Sequence, residues 1–418
     1  MSRVCVFVLI VCACAAPARA QLSVADAVDE GLRHNLSLFA ERANLTVADA
    51  QMLTARLRPN PVFSFSADHQ DWLGTGFDAS NNGGPPEIAW RVDVPLERGG
   101  KRDARIALAS AVRSAAEADF LDAVRALRQE VTLACIDLLA AQATRKVVGD
   151  TLRTYEDLAR VNRARLTAGA IAPLEATRSD VAMLQFRASV VKADLDVAAA
   201  SAKLRVLLGR PVGDPIEIAD SAIAAAAAAP LEPSALESLA VQSRPDLLSL
   251  HLSQARSVAD LRLQEALGRV DYTIGAEYRR QQGIAGRSNS LGVFFSTPLP
   301  VLNRNQGEIA RATAEREHVE RQIEARKAQV VADVRAALHE YEATRDLLGS
   351  IEHDLLSPAT HARDVSLYTY KAGGATLLDV LDAERAFNDI EQSYVDAQAS
   401  LRRASAHLNA AVGSEVVK

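Results

Sequence analysis

A mainly α-helical fold with a small β part is what this 418-residue sequence predicts, and three observations lead there. Long stretches repeat apolar residues at spacings of three and four, the period of a helix. Four short stretches alternate apolar and polar residues, the period of a strand. The order of these elements then occurs twice. Composition agrees, because aromatic residues are 5% of the chain and alanine is abundant, which suits closely packed helices.

The first twenty residues, MSRVCVFVLIVCACAAPARA, pair an early arginine with an apolar run and a small-x-small ending, Ala18-Arg19-Ala20. That is a secretory signal peptide with cleavage expected before Gln21. Lipid attachment at Cys12 or Cys14 is the alternative, and Val11 before Cys12 fits it poorly. Cleavage removes Cys5, Cys12 and Cys14, so Cys135 is left alone and no disulfide within the chain is possible. Losing Arg3 and Arg19 from 47 basic residues leaves 45 against 53 acidic ones, a net charge of −8 that argues against nucleic acid as a partner. Beyond the signal no apolar run approaches the roughly 20 residues of a spanning helix. Any crossing of a membrane must use strands.

Two repeats follow, residues 21–208 and 234–418, joined by a Pro- and Ala-rich connecting segment, 209–233. Each opens with a helix of some 35 residues begun by a capping box, Ser23 with Asp26 in one and Ser234 with Glu237 in the other. Breakers stop these helices at Pro59 and Gly268. Two strands come next in each repeat, 62–69 and 88–94, then 270–279 and 290–297, around polar, Gly-rich loops. A turn leads into a very long helical stretch, Arg102 to Leu166 or Asn305 to Tyr370, about 100 Å at 1.5 Å per residue. Phe120, Val124, Leu127, Val131, Ala134 and Leu138 make a coiled-coil seam along the first, and Val330, Val334, Leu338 and Tyr341 along the second. Pro358 should kink the second. Each repeat then turns, at RLTAGAIAPLE or YKAGGATLLD, and returns through another helix of about 36 residues. Two shorter helices stacked end to end match one long helix.

The strands divide cleanly by face. Val270, Tyr272, Ile274, Ala276 and Tyr278 fall on one side, and Asp271, Thr273, Gly275, Glu277 and Arg279 on the other. Phe63, Phe65 and Ala67 separate likewise from Ser64, Ser66 and Asp68, as do Ile88, Trp90, Val92 and Val94 from Ala89, Arg91 and Asp93. Such segments have the length and pattern of outer-membrane barrel strands. A sheet half-buried against a soluble domain would alternate too, but the helices are committed to long seams. The expected lipid-facing side chains are Phe63, Phe65, Trp90, Val92, Tyr272, Ile274, Tyr278 and Val293. Four strands cannot close a barrel, and lipid does not tolerate an open sheet edge, so several copies must share one.

The segments ADAVDEGLRHNLSL and ARLRPNPVFSFS, the two turns and the duplicated layout resemble the TolC-like outer-membrane efflux proteins across the whole mature chain. VPLERGGKRDARIALA and TPLPVLNRNQGEIARA look most like that family's heavy-metal branch, the outer-membrane partners of cobalt–zinc–cadmium and copper–silver pumps. The resemblance implies a homotrimer with a shared β-barrel in outer-membrane lipid, continued by a helical tunnel through the periplasm. It also implies docking to a periplasmic adaptor and an inner-membrane pump of the RND type. It implies no catalytic chemistry, cofactor or resident metal.

RLTAG fits the family's adaptor-facing turn, so Arg165, Leu166 and Gly169 are adaptor-contact candidates, with Gly373 at the parallel second turn. Tyr370, Asp379 and Asp382 stand where the family lines the closed periplasmic end, the gate. Plain structural roles compete: the glycines serve tight turns, and Thr376 with Asp379 is also a capping box. Ala375 occupies a place where some relatives carry a latching arginine. Scattered His residues form no HExxH or HxxxH pair, and no phosphate-binding or nucleophile motif survives in the mature chain. The function expected is therefore passive export, with heavy-metal cations as cargo. Type I protein secretion, organic-toxin efflux or a poreless periplasmic coiled-coil scaffold are the alternatives.

Overall fold

The computed structural model describes residues 22–70, 72, 74, 86–213, 216–219, 231–283 and 286–417. The signal peptide, its cysteines and the cleavage point lie outside the described residues, as do most of the first strand loop and much of the connecting segment.

Helix α1, Val24–His34, starts at the Ser23–Asp26 capping box, with Asp26 N–H donating to Ser23 Oγ at 3.1 Å. The expected single opening helix is two. Asn35 turns the chain into extended geometry and caps α2, Leu36–Arg56, by accepting from Leu38 N–H. Asparagine competes well for helix-end donors, so an apolar pattern running through it does not keep the helix whole. The second repeat breaks at the same place, between α5, Pro233–Ser243, and α6, Pro245–Leu267, because Pro245 forces Arg244 out of helical geometry. The Ser234–Glu237 box does not form. Pro233 takes the first helical position, which places Ser234 inside the helix, and Glu237 pairs instead with Arg335 at 2.6 Å.

Helix α3, Lys101–Thr167, runs unbroken for 67 residues, and α4, Pro173–Leu208, returns along it. Its counterpart in the second repeat is interrupted. Helix α7, Gln306–Ser350, passes through a π-helical turn, Ile351–Leu355, into α8, Leu356–Lys371, before α9, Leu377–Val412, returns. The disturbance expected at Pro358 takes this form. Proline offers no N–H to the Asp354 carbonyl and crowds it, and the turn widens until Leu356 N–H reaches Ile351 O.

One core lies under α1, α3 and α4, around Val131, Leu138, Leu204 and Leu208; another lies under α5, α6, α7 and α9, around Leu247, Val330, Val334 and Leu408. A third joins the repeats near the turns, through Tyr155, Leu158, Tyr370, Val380 and Leu381. Cys135 is fully buried in the first, where burial pushes its thiol up to about 12. It is a core side chain.

Four strands form one antiparallel meander in chain order: β1, Val62–Asp68; β2, Glu87–Leu96; β3, Tyr272–Gly283; β4, Gly286–Ser296. The second pair starts and ends nearer its hairpin loop than the alternation alone suggests. Backbone pairing carries on from Gln281 to Ser288 and from Gly283 to Gly286, where polar residues alternate with nothing apolar.

Candidate functional site: an exposed sheet face and two helical turns

Register decides what the sheet presents. Phe63, Val92, Ala276 and Val293 lie in one cross-strand row, and Phe65, Trp90, Tyr278 and Leu291 in the next. Val94, Ile274 and Phe295 continue the same face. The rows interlock through rings: Trp90 stacks on Tyr278 at 5.6 Å, and Tyr272 meets Phe295 at 5.2 Å. Nothing among the described residues covers them, since Phe63 is 64% exposed, Leu291 86% and Val293 84%. Leu291 and Phe295 join the eight side chains expected from alternation.

The opposite face is polar and internally paired. Arg91 meets Asp93 at 2.8 Å, and Arg279 bridges Glu87 at 2.7 Å and Glu277 at 2.9 Å. Gly275 leaves room here for the Asp93 carboxylate, which a Cβ would displace. Phe294 falls on this face and is capped by the Arg91 guanidinium 4.1 Å from its ring. The sheet is open at both ends, with β1 and β4 as its edges.

Far along the helices, both turns have one geometry. Gly169 at φ 69° lets Gly169 N–H reach Leu166 O and Ala170 N–H reach Arg165 O at 2.8 Å. Gly373 at φ 83° does the same for Tyr370 O and Thr369 O. These are left-handed helix endings that favour glycine. Arg165 draws the turns together, its guanidinium 4.9 Å from the Tyr370 ring and its Nη2 donating to Lys371 O at 3.2 Å. Tyr370 is buried and donates its hydroxyl to Asn162 Oδ1 at 2.6 Å. Leu166 is half-buried beside the turn.

The acidic candidates differ. Asp379 accepts from Thr376 N–H at 2.8 Å and from its hydroxyl at 2.7 Å, and these bonds hold its carboxyl below the usual range. The capping geometry is therefore formed. Asp382 does not cap; it is exposed and faces Arg385 at 3.6 Å, one helical turn on.

Sequence reasoning missed the residues between the two hairpins. Thr151 donates to Asn388 at 3.1 Å across α3 and α9. Asn162, Tyr155 and Glu384 are buried in the same seam, and Asn162 Nδ2, Tyr155 Oη and Glu384 Oε1 have no hydrogen-bond partner among the described residues. Burial raises the Glu384 carboxyl and pushes the Tyr155 phenol up to about 12. The available signal was helical spacing: Thr151, Tyr155 and Asn162 fall on one stripe of α3. Each unmet buried group costs about 1–3 kcal/mol, so this seam is held less tightly than the apolar cores above it. Among the described residues no cluster has the makings of a metal site, and no helix is long and apolar enough to cross a membrane.

Residues 27–210 and 236–414 match the model of the family described as outer membrane efflux protein, one match for each repeat. The chain is 23% identical over 362 residues to the cobalt-zinc-cadmium resistance protein CzcC of Cupriavidus metallidurans, covering 84% of this chain and 80% of that one. It is 26% identical over 412 residues to the pyoverdine export outer membrane protein OpmQ of Pseudomonas putida, covering 91% and 83%. The fold matches the crystal structure of CusC with a TM-score of 0.76 at 18% identity, over 94% of this chain and 93% of that one.

Proposed function

The chain belongs to the outer membrane efflux protein family, and we propose that three copies close one barrel and one helical tunnel, forming the outer-membrane conduit of a tripartite efflux system. The observation that carries this is the continuous, uncovered apolar sheet face ending in two open strand edges. In lipid each unpaired edge group costs several kcal/mol, so the edges must meet other copies. Three copies of a four-stranded sheet give an even-numbered barrel of a size common in outer membranes. Phe63, Phe65, Trp90, Val92, Tyr272, Ile274, Tyr278 and Val293 then face hydrocarbon, and the Arg91–Asp93 and Arg279–Glu277 pairs line water.

The helices support the same closure. Near the turns they form a row, α4 beside α3, α3 beside α9, α9 beside α8. The outer flank of α4 exposes Leu174, Val181, Leu184, Val191 and Leu195 at heptad spacing, and α8 at the other end exposes Val365 and Tyr368. One copy's α4 stripe fits the next copy's α8.

Transport is passive; energy comes from an inner-membrane pump through a periplasmic adaptor that grips the turns at Arg165, Leu166, Gly169 and Gly373. Opening separates the α8–α9 hairpin from α3, breaking the Tyr370–Asn162 and Arg165–Lys371 bonds, with the unmet polar groups of the seam lowering the cost. Asp379 and Asp382, repeated by the three-fold axis, present carboxylates to cations at that end. Likeness to CzcC favours heavy-metal cations as cargo, while likeness to OpmQ keeps an organic cargo as the second reading.

In planar bilayers the purified trimer conducts, and Tyr370→Phe raises its conductance. Ile274→Asp impairs insertion far more than Thr273→Asn does; equal tolerance of the two overturns the barrel. Deleting the gene lowers tolerance to zinc, cobalt, cadmium or copper. Unchanged metal tolerance with lost tolerance to organic toxins moves the cargo to the second reading.

A further inference from the structure

Four helix ends meet the strands in one place, and that junction is basic in an acidic protein. In segments 56–58, 97–105, 265–271 and 299–304 basic residues outnumber acidic ones eight to four, although the whole chain carries more acid than base. Two of the four carboxylates are already engaged within the cluster. Arg105 Nη2 holds Glu97 at 2.9 Å, and Lys101 holds Asp271 at 2.8 Å. Arg58, Arg98, Arg269 and Arg304 remain exposed.

Neighbouring groups hold them in place. Arg98 lies with its guanidinium 4.2 Å from the centre of the Tyr272 ring, the last ring of the apolar sheet face at this end. Arg269 packs its stem across Gly99, where a Cβ would strike it. Arg304 donates from Nε to Pro300 O at 3.0 Å. Arg105 and Arg102 donate to the Leu57 and Arg56 carbonyls at the end of α2, which holds Arg58 beside them. The same segments carry Leu57, Leu299, Val301 and Leu302, all strongly exposed.

We infer that this collar binds the phosphate groups of anionic phospholipid in the inner leaflet of the membrane, an inference that rests on the barrel reading above. Two features select a lipid over an acidic soluble partner. The collar continues the apolar sheet face through the Leu96–Tyr272 pair, and exposed Leu57, Leu299, Val301 and Leu302 share the segments of its arginines, as at a boundary between acyl chains and headgroups. Guanidinium forks match phosphate in two-point contact. Three copies would place the arginines around the whole circumference, fixing the depth at which the barrel sits.

The test is native mass spectrometry of the detergent-purified trimer offered equal phosphatidylglycerol and phosphatidylethanolamine. Wild type is expected to retain phosphatidylglycerol preferentially, by about fivefold for each arginine engaged. The variant carrying Arg58→Gln, Arg98→Gln, Arg269→Gln and Arg304→Gln should lose that preference while its mass remains that of a trimer. Should that variant fail to assemble, the wild type still decides: raising salt from about 0.1 M to about 1 M, which shortens the Debye length from about 10 Å to about 3 Å, should erase its preference. Equal retention of both lipids by wild type overturns the inference, as does a preference that survives in the variant. Failure of the barrel reading is seen separately, as absence of conductance in phosphatidylethanolamine bilayers.

Discussion

The same corner is built twice in this chain, once around a neutral amide and once around a buried cation. In the first repeat Asn35 joins α1 to α2, and its Nδ2 reaches across to Leu207 O at the end of α4, 3.0 Å away. In the second, Arg244 joins α5 to α6 and reaches the matching carbonyl, Ala411 O at the end of α9, at 3.2 Å. Arg244 also grips Asp246 at 2.7 Å and Asp333 at 3.2 Å, and Arg326 closes on Asp246 at 2.5 Å. The return helix ends in a left-handed glycine at both corners, Gly209 and Gly413. Duplication thus kept the geometric requirement, a polar group that ties the broken first helix to the end of the return helix. The chemistry meeting it was free to change, and with it the sensitivity of each corner to damage.

The largest expected break of this comparison is Arg244→Ala. It removes a buried guanidinium and one of the two cations on Asp246, leaving Arg326 alone against it, and unfolding in detergent should show a loss of about 3–5 kcal/mol, confined to the second repeat's core. Gly209→Ala comes next. Its Cβ would drive into the His34 backbone carbonyl, while at Gly413 it comes no nearer than 3.2 Å to Arg244 and Ser243. The free energy of unfolding should therefore fall more at Gly209, by about 2–3 kcal/mol against about 1–2 at Gly413, the latter being the ordinary strain of a left-handed non-glycine residue.

Acid sharpens the contrast. Burial opposes ionisation of Asp246, but the Arg244 and Arg326 guanidiniums outweigh it and hold the carboxyl at about 2. A folded-state value depressed from 3.8 contributes stability that is complete above about pH 4 and is lost as the pH falls toward 2, about 2 kcal/mol in all. An acid titration of stability in Asp246→Asn should lack that portion of the slope. The smallest effect belongs to Asn35→Ala, which removes one cap and one cross-helix bond. About 1–2 kcal/mol is expected, and a loss as large as that of Arg244→Ala would make the two corners energetically alike.

Much of this architecture was legible because it depends on period. Alternation in β1 to β4 and the three-four spacing of α3 and α7 are properties of short windows, and so are the glycine-bearing turns at Gly169 and Gly373. What escaped was whatever depends on a neighbour remote in sequence. Nothing local distinguishes Asn35 from an ordinary helix-surface asparagine until Leu207 O stands opposite it, and Glu237 looked like a cap until Pro233 moved the helix start and Arg335 claimed its carboxylate. At the turns, Tyr370 and Arg165 were visible from motif alone, but their meeting with Asn162 and Lys371 was not.

Repetition, element type and the two-faced character of the strands were determined by the sequence itself, since each follows from side-chain order and the fixed pitch of helix or strand. Only the tertiary structure decided the register that aligns Phe63 with Val92 and Val293, the polar seam between α3 and α9, and the arginine collar where four helix ends converge. Those features bring together residues from both repeats. Their energy lies in desolvation and paired charge, which depend on what surrounds a group and not on its place along the chain.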